Sequence, residues 1–153
     1  MFLALEGFTL PSEYIIKELT VIIDDDNYQH FHFASPPNFH PTFEELQTIN
    51  FATKNVNGLY LSDDSLLPYS TINDILQKIA HHTIYVVGHS TYNFIKSKLP
   101  MTNIIDICVQ YNFKYPKKLP KSNCFKSHNP RYCSLSKCIY IKKFIINDWS
   151  MTQ

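Results

Sequence analysis

Residues 2–33 read "FLALEGFTLPSEYIIKELTVIIDDDNYQHFHF", and three strand signals follow one another within them. "FLALEGF" is a short apolar run, and "YIIKELTVII" is rich in β-branched residues. "YQHFHFA" alternates polar and apolar side chains with the period of two that a half-buried strand requires. Between the second and third runs stands "DDDN", whose Asp and Asn residues favour a tight reversal. The segment predicts three consecutive antiparallel strands. Pro36 and Pro37 then end the ladder, because proline has no N–H to donate.

Beyond the prolines the period changes. "PTFEELQTINFATKNV" places Thr42 three residues before Glu45, a capping-box spacing, and continues with apolar residues at helical intervals. "LPYSTINDILQKIA" repeats the pattern with Ser70 or Thr71 as its cap. "HTIYVVG" is a nearly continuous apolar run of the kind buried in parallel sheets, "STYNFIKSKL" reads as a short helix and "NIIDICV" as a last strand. After the Pro/Lys loop "YPKKLPKSN", the segment "SLSKCIYIKKFIINDW" closes the chain as a helix. The predicted order is β-β-β-α-α-β-α-β-α, an α/β fold with a mixed sheet flanked by helices and the first strand in its middle.

Length and composition fit one such domain over residues 1–153. With 44% hydrophobic residues the chain can bury one substantial core, and it is short for two. It contains no run of roughly 18 to 20 apolar residues of the sort that spans a membrane. The opening "MFLALEGFTLP" carries Glu6 where a signal peptide needs an apolar centre. The expected setting is intracellular, with no membrane partner, and the four cysteines are expected to be reduced there. The net charge of +1 hides an asymmetry: residues 1–95 carry three lysines against eleven carboxylates, whereas residues 96–153 carry eleven cations against Asp106 and Asp148. Such a split marks either a basic face for nucleic acid or two halves that fold against each other and neutralise.

The stretch richest in chemistry is "CFKSHNPRYCSLSKC", residues 124–138. Cys124, His128 and Cys133 offer two thiolates and one imidazole, and tetrahedral zinc then needs one further ligand. Glu6, isolated on an apolar strand, and Cys138 both qualify. The competing reading makes Cys133 and Cys138 small buried hydrophobes and His128 a solvated loop residue. His30 and His32 share one strand face, a geometry that suits a metal, but no third ligand accompanies them and they read as ordinary sheet-surface histidines.

The element order is that of the ribonuclease H-like fold, and "FLALEGF" resembles the first motif of the DEDD exonucleases of that fold, with Ala4 at the Asp position and Glu6 at the Glu position. "IYVVGHSTYNFIKSKL" is similar to their second motif; His89 matches, and Asn93 or Phe94 stands near the missing Asp. "RYCSLSKC" is similar to the third, with Tyr132 or Cys133 in place of the His and Lys137 in place of the Asp. Two-metal catalysis needs several carboxylates around its ions, so the resemblance implies a catalytically degenerate module. That pattern of loss resembles the Maelstrom domain, and also uncharacterised domains of insect genomes, mobile elements or viruses. The Maelstrom family carries a Glu-Cys-His-Cys zinc site between the first strand and the last helix. The resemblance implies a structural zinc on Glu6, Cys124, His128 and Cys133.

Three functions follow as expectations. The first is binding of RNA or single-stranded DNA through Lys114, Lys117, Lys118, Lys121, Lys126 and Arg131, which fall within eighteen residues of one another. The second is a protein-interaction scaffold, whose basic stretch is a solvated loop. The third is residual nuclease activity using Glu6, Asp106 and either His89 or His128.

Overall fold

The computed structural model describes residues 1–24, 27–61, 66–122, 124 and 129–151, with side chains through residue 147. Five strands, β1 (Phe2–Thr9), β2 (Tyr14–Asp24), β3 (Asn27–His32), β4 (Ile84–Val86) and β5 (Ile104–Asp106), form one sheet in the order β3-β2-β1-β4-β5. The first three are antiparallel neighbours; β4 runs parallel to β1, and β5 parallel to β4. The fold is thus α/β with a mixed sheet flanked by helices, and β1 is its middle strand, beside β4 as the run at 82–88 predicts.

Each face of the sheet is covered, which explains why Ile15 through Ile22 of β2 are all buried although alternate side chains point opposite ways. On one face Leu3, Leu5, Leu19 and Val21 pack with Ile72, Leu76 and Ile95 of the helices α2 (Thr71–Ile79) and α3 (His89–Lys98). On the other, Ala4 and Ile22 pack with Cys138, Ile141 and Ile145 of the closing helix α5 (Ser134–Met151). Among the described residues no helix is long and apolar enough to cross a membrane.

The predicted capping box is present at α1 (Phe43–Ala52): the Glu45 N–H donates to Thr42 Oγ1, and the Thr42 N–H donates to the Glu45 carboxylate. One wider π-helical turn, Thr53–Asn57, follows and ends on Gly58 at φ 66°. Two local readings differ from the structure. Ser70 precedes α2 without a side-chain cap. The last strand stops at Asp106, whose carboxylate accepts from the Cys108 N–H and starts a short helix, α4 (Ile107–Tyr111). A brief apolar run such as "IIDICV" suits helix and strand equally, and the Asp cap decides it. Of the turn predicted at "DDDN", residues 25 and 26 lie outside the described residues.

Register places the site. In the β1–β2 pair Glu6 stands directly opposite Glu18, and the ladder shifts between Glu6 and Gly7. A Cβ on Gly7 would fall 1.9 Å from the Ile15 carbonyl oxygen, so only glycine admits β2 this close at the irregularity. In the β2–β3 pair Glu18 faces His32 and Thr20 faces His30. Opposed residues of a ladder share a face. Glu6, Glu18, Thr20, His30 and His32 therefore line the side that α5 covers.

Candidate metal centre

The hairpin of β2 and β3 supplies three possible metal ligands to that side, and the chain before α5 supplies a fourth. Glu18, His30, His32 and Cys124 each offer one ligand atom, and all four atoms lie within 4.8 Å of one another. His30 Nε2 is 3.2 Å from Cys124 Sγ and 2.9 Å from His32 Nε2. Glu18 Oε1 lies 3.9 Å from His30 Nε2, Glu18 Oε2 lies 3.7 Å from His32 Nε2, and Cys124 Sγ is 3.9 Å from the same His32 nitrogen. A tetrahedral ion with bonds of about 2.0–2.3 Å separates its ligands by about 3.3–3.8 Å. The observed spacings bracket that range, so the cluster can hold one metal ion.

The surroundings fix the donors in a form suited to coordination. Thr20 Oγ1 is 2.6 Å from His30 Nδ1 and 2.7 Å from Ser134 Oγ. With Nδ1 protonated and donating to the hydroxyl, Nε2 presents its lone pair to the cluster. The Ser134 N–H and hydroxyl, at the first position of α5, donate to Glu18 Oε1 at 2.6 and 2.8 Å. The positive end of the α5 macrodipole thus faces a carboxylate. Glu18 is fully buried. An ionised carboxylate carries a large desolvation cost at such a site unless cations and hydrogen bonds answer it. A metal bound between Glu18, two imidazoles and a thiolate supplies that charge.

The sequence-derived zinc set is divided by the structure. Cys124 joins the cluster, whereas Glu6, 7% exposed, forms an ion pair with Lys137 of α5. The lysine also lies 5.4 Å from the centre of the Tyr115 ring. Cys133 is buried with its Sγ 3.6 Å from Ser122 Oγ. Among the described residues Glu6, Cys124 and Cys133 are not brought together, because Glu6 sits one strand further from β3 and α5 presents an amine to it. His128 lies outside the described residues. Cys138, the competing fourth ligand, turns its thiol to the carbonyls of Phe2 at 3.2 Å and Thr20 at 3.8 Å, and burial raises its pKa well above the ordinary thiol range. It is a buried thiol donor.

The residues read for residual nuclease activity serve elsewhere. Asp106 accepts from the Gly88 and Cys108 N–H groups at 3.0 Å each, and His89 Nε2 is 2.9 Å from the Asn93 amide. Of the basic set, Lys114, Lys117, Lys118, Lys121 and Arg131 are exposed, and Lys126 lies outside the described residues. Nothing local in the sequence marks Glu18 as a ligand, and His30 and His32 read there as ordinary sheet-surface histidines. All described cysteines are free thiols. No family model, no curated protein and no solved structure matches the chain.

Proposed function

We propose that the chain is a ribonuclease H-like domain without nuclease activity that binds single-stranded nucleic acid, and that zinc at Glu18, His30, His32 and Cys124 holds its basic segment to the sheet. The observation that carries this reading is the place of Cys124. It lies inside the run from Lys114 to Arg131, and its Sγ sits 3.2 Å from an imidazole of β3. A bond through a metal at that point anchors a lysine-rich loop against a rigid hairpin, and cations held on a fixed frame lose less freedom when they meet phosphates. Two nitrogens, one oxygen and one sulfur at tetrahedral spacing favour zinc over harder cations such as magnesium. The strand order β3-β2-β1-β4-β5 supports the ribonuclease H-like reading. The ion pair of Glu6 with Lys137 supports the absence of two-metal catalysis, since an amine stands where a divalent ion would have to approach.

The test combines metal analysis of the purified chain with binding to a fluorescein-labelled single strand. Expected are about one zinc per chain and an affinity that falls with salt at a slope of roughly −4 for six phosphate contacts. Chelation should weaken binding. A metal-free protein as purified, or zinc-loaded protein with no salt-dependent binding to RNA or DNA strands, overturns the reading.

A second reading, a protein-interaction scaffold, is favoured by α1, where Phe43, Leu46 and Phe51 are 75%, 39% and 64% exposed. Replacing all three with serine separates the two. Loss of a co-purifying protein with unchanged strand binding favours the scaffold.

A further inference from the structure

The ion pair of Glu6 and Lys137 lies in a cavity of about 370 Å³, a size that suits a small organic ligand. The cavity sits at the carboxyl end of β1, beside Val87 just after β4 and Thr91 of α3, where the central strand has an antiparallel neighbour on one side and a parallel one on the other. In open α/β sheets the crevice at such a point is where ligands bind. Three phenol rings, Tyr14, Tyr115 and Tyr132, also line it. Burial and the nearby Glu6 charge raise the pKa values of Tyr14 and Tyr115, so both hydroxyls stay protonated.

We propose that this cavity binds a guanine base, with the Glu6 carboxylate accepting from its N1–H and N2–H groups, Lys137 donating to its O6, and a tyrosine ring stacked on its face. The carboxylate and ammonium stand side by side and cancel in charge, so the matching ligand is a neutral edge with donors beside an acceptor. Guanine offers two adjacent donors, which a carboxylate takes with both oxygens, next to one acceptor. Adenine and cytosine offer a single amino group, and uracil a single N–H. The planar base finds its stacking partner in Tyr115 or Tyr132. Those two residues adjoin Lys114 and Arg131 in sequence, so a base in the cavity and phosphates on the basic segment are compatible. The pocket does not depend on strand binding, and a free guanine nucleotide satisfies the same contacts.

Calorimetric titration of the full chain with guanosine, adenosine, cytidine and uridine monophosphates tests the pocket, with guanosine monophosphate expected at least tenfold tighter than the others. Glu6→Gln should remove that preference. Because a lone lysine left at this site can unfold the chain, Tyr132→Ala at the half-buried ring is the second variant, expected to weaken guanosine monophosphate by about tenfold if that ring stacks on the base. A uridine hexamer with and without one internal guanosine then identifies the source. A tenfold gain from that guanosine assigns a base within a strand, and binding of the mononucleotide alone assigns a free nucleotide. Equal affinity for all four mononucleotides, a guanosine preference that survives in folded Glu6→Gln, or no binding by either mononucleotide or hexamer overturns the proposal.

Discussion

Glu6 and Glu18 are the same residue type, directly opposed on neighbouring strands and covered by the same helix, yet they have unlike partners. Glu6 meets the flexible amine of Lys137 beside a cavity, while Glu18 meets the first turn of α5 together with two imidazoles and a thiol. The difference teaches that a buried carboxylate takes its role from what the opposing helix brings. At Glu6 a lysine neutralises it beside a cavity; at Glu18 a helix start with histidines and a cysteine places it in a cluster that could hold a metal ion.

The largest effect expected from this contrast is on the Glu18 side. On the proposed zinc reading, His30→Ala or Cys124→Ser should release the metal and lower Tm by roughly 10 °C or more, the size of a loss of several kcal/mol in a chain of this length. Glu6→Gln should leave zinc content unchanged. Acidification should also release the metal, because protons compete for both imidazoles and the thiolate. Mass spectrometry under native conditions with parallel calorimetry reads both quantities. Zinc lost from Glu6→Gln and kept in His30→Ala would reverse the two roles.

Breaking the ion pair comes next. Lys137→Met leaves a mostly buried carboxylate without its amine and should cost about 2–3 kcal/mol, below the full penalty of a buried pair because the lysine side chain is 20% exposed. The double substitution Glu6→Leu with Lys137→Met should recover most of that loss, which denaturant titration measures. A double variant as unstable as the single one would mean that the pair contributes more than mutual neutralisation.

Much of the fold is legible in residues 2–33 and in the helical spacings after them, because period and caps are local properties. The candidate metal cluster is not local: it joins the second and third strands to Cys124. A usable signal was nevertheless present. Antiparallel pairing of β2 with β3 sets His32 opposite Glu18 and His30 opposite Thr20, so the alternation that identifies the strands also puts a carboxylate and two imidazoles on one face. Glu6 stands out by its isolation on an apolar strand, and Lys137, the residue that answers it, lies within the segment whose spacing predicts the C-terminal helix. Which carboxylate each part of α5 meets depends on how the helix lies across the sheet, and no spacing in the chain encodes that.

Two smaller effects refine the comparison. Thr20→Val removes the hydroxyl that orients His30 and should weaken zinc affinity about 10- to 100-fold, read by competition with a chromogenic chelator, without altering the Glu6 side. Thr42→Ala, remote from both carboxylates, should cost only about 1 kcal/mol through loss of the α1 cap, measured by thermal unfolding. A larger loss would tie α1 to the sheet more closely than its exposed position implies.

The central place of β1 bears on how the chain is made. Its parallel neighbour pairs Phe2 with Tyr85, and the helix that covers Glu6 and Glu18 begins at Ser134. At about 5–20 residues per second, the ribosome takes on the order of ten seconds to deliver that helix after β1 emerges. For that interval the face of the sheet that α5 covers stays open, and Glu6 lacks the Lys137 amine. A truncation before residue 134 leaves that apolar face open permanently.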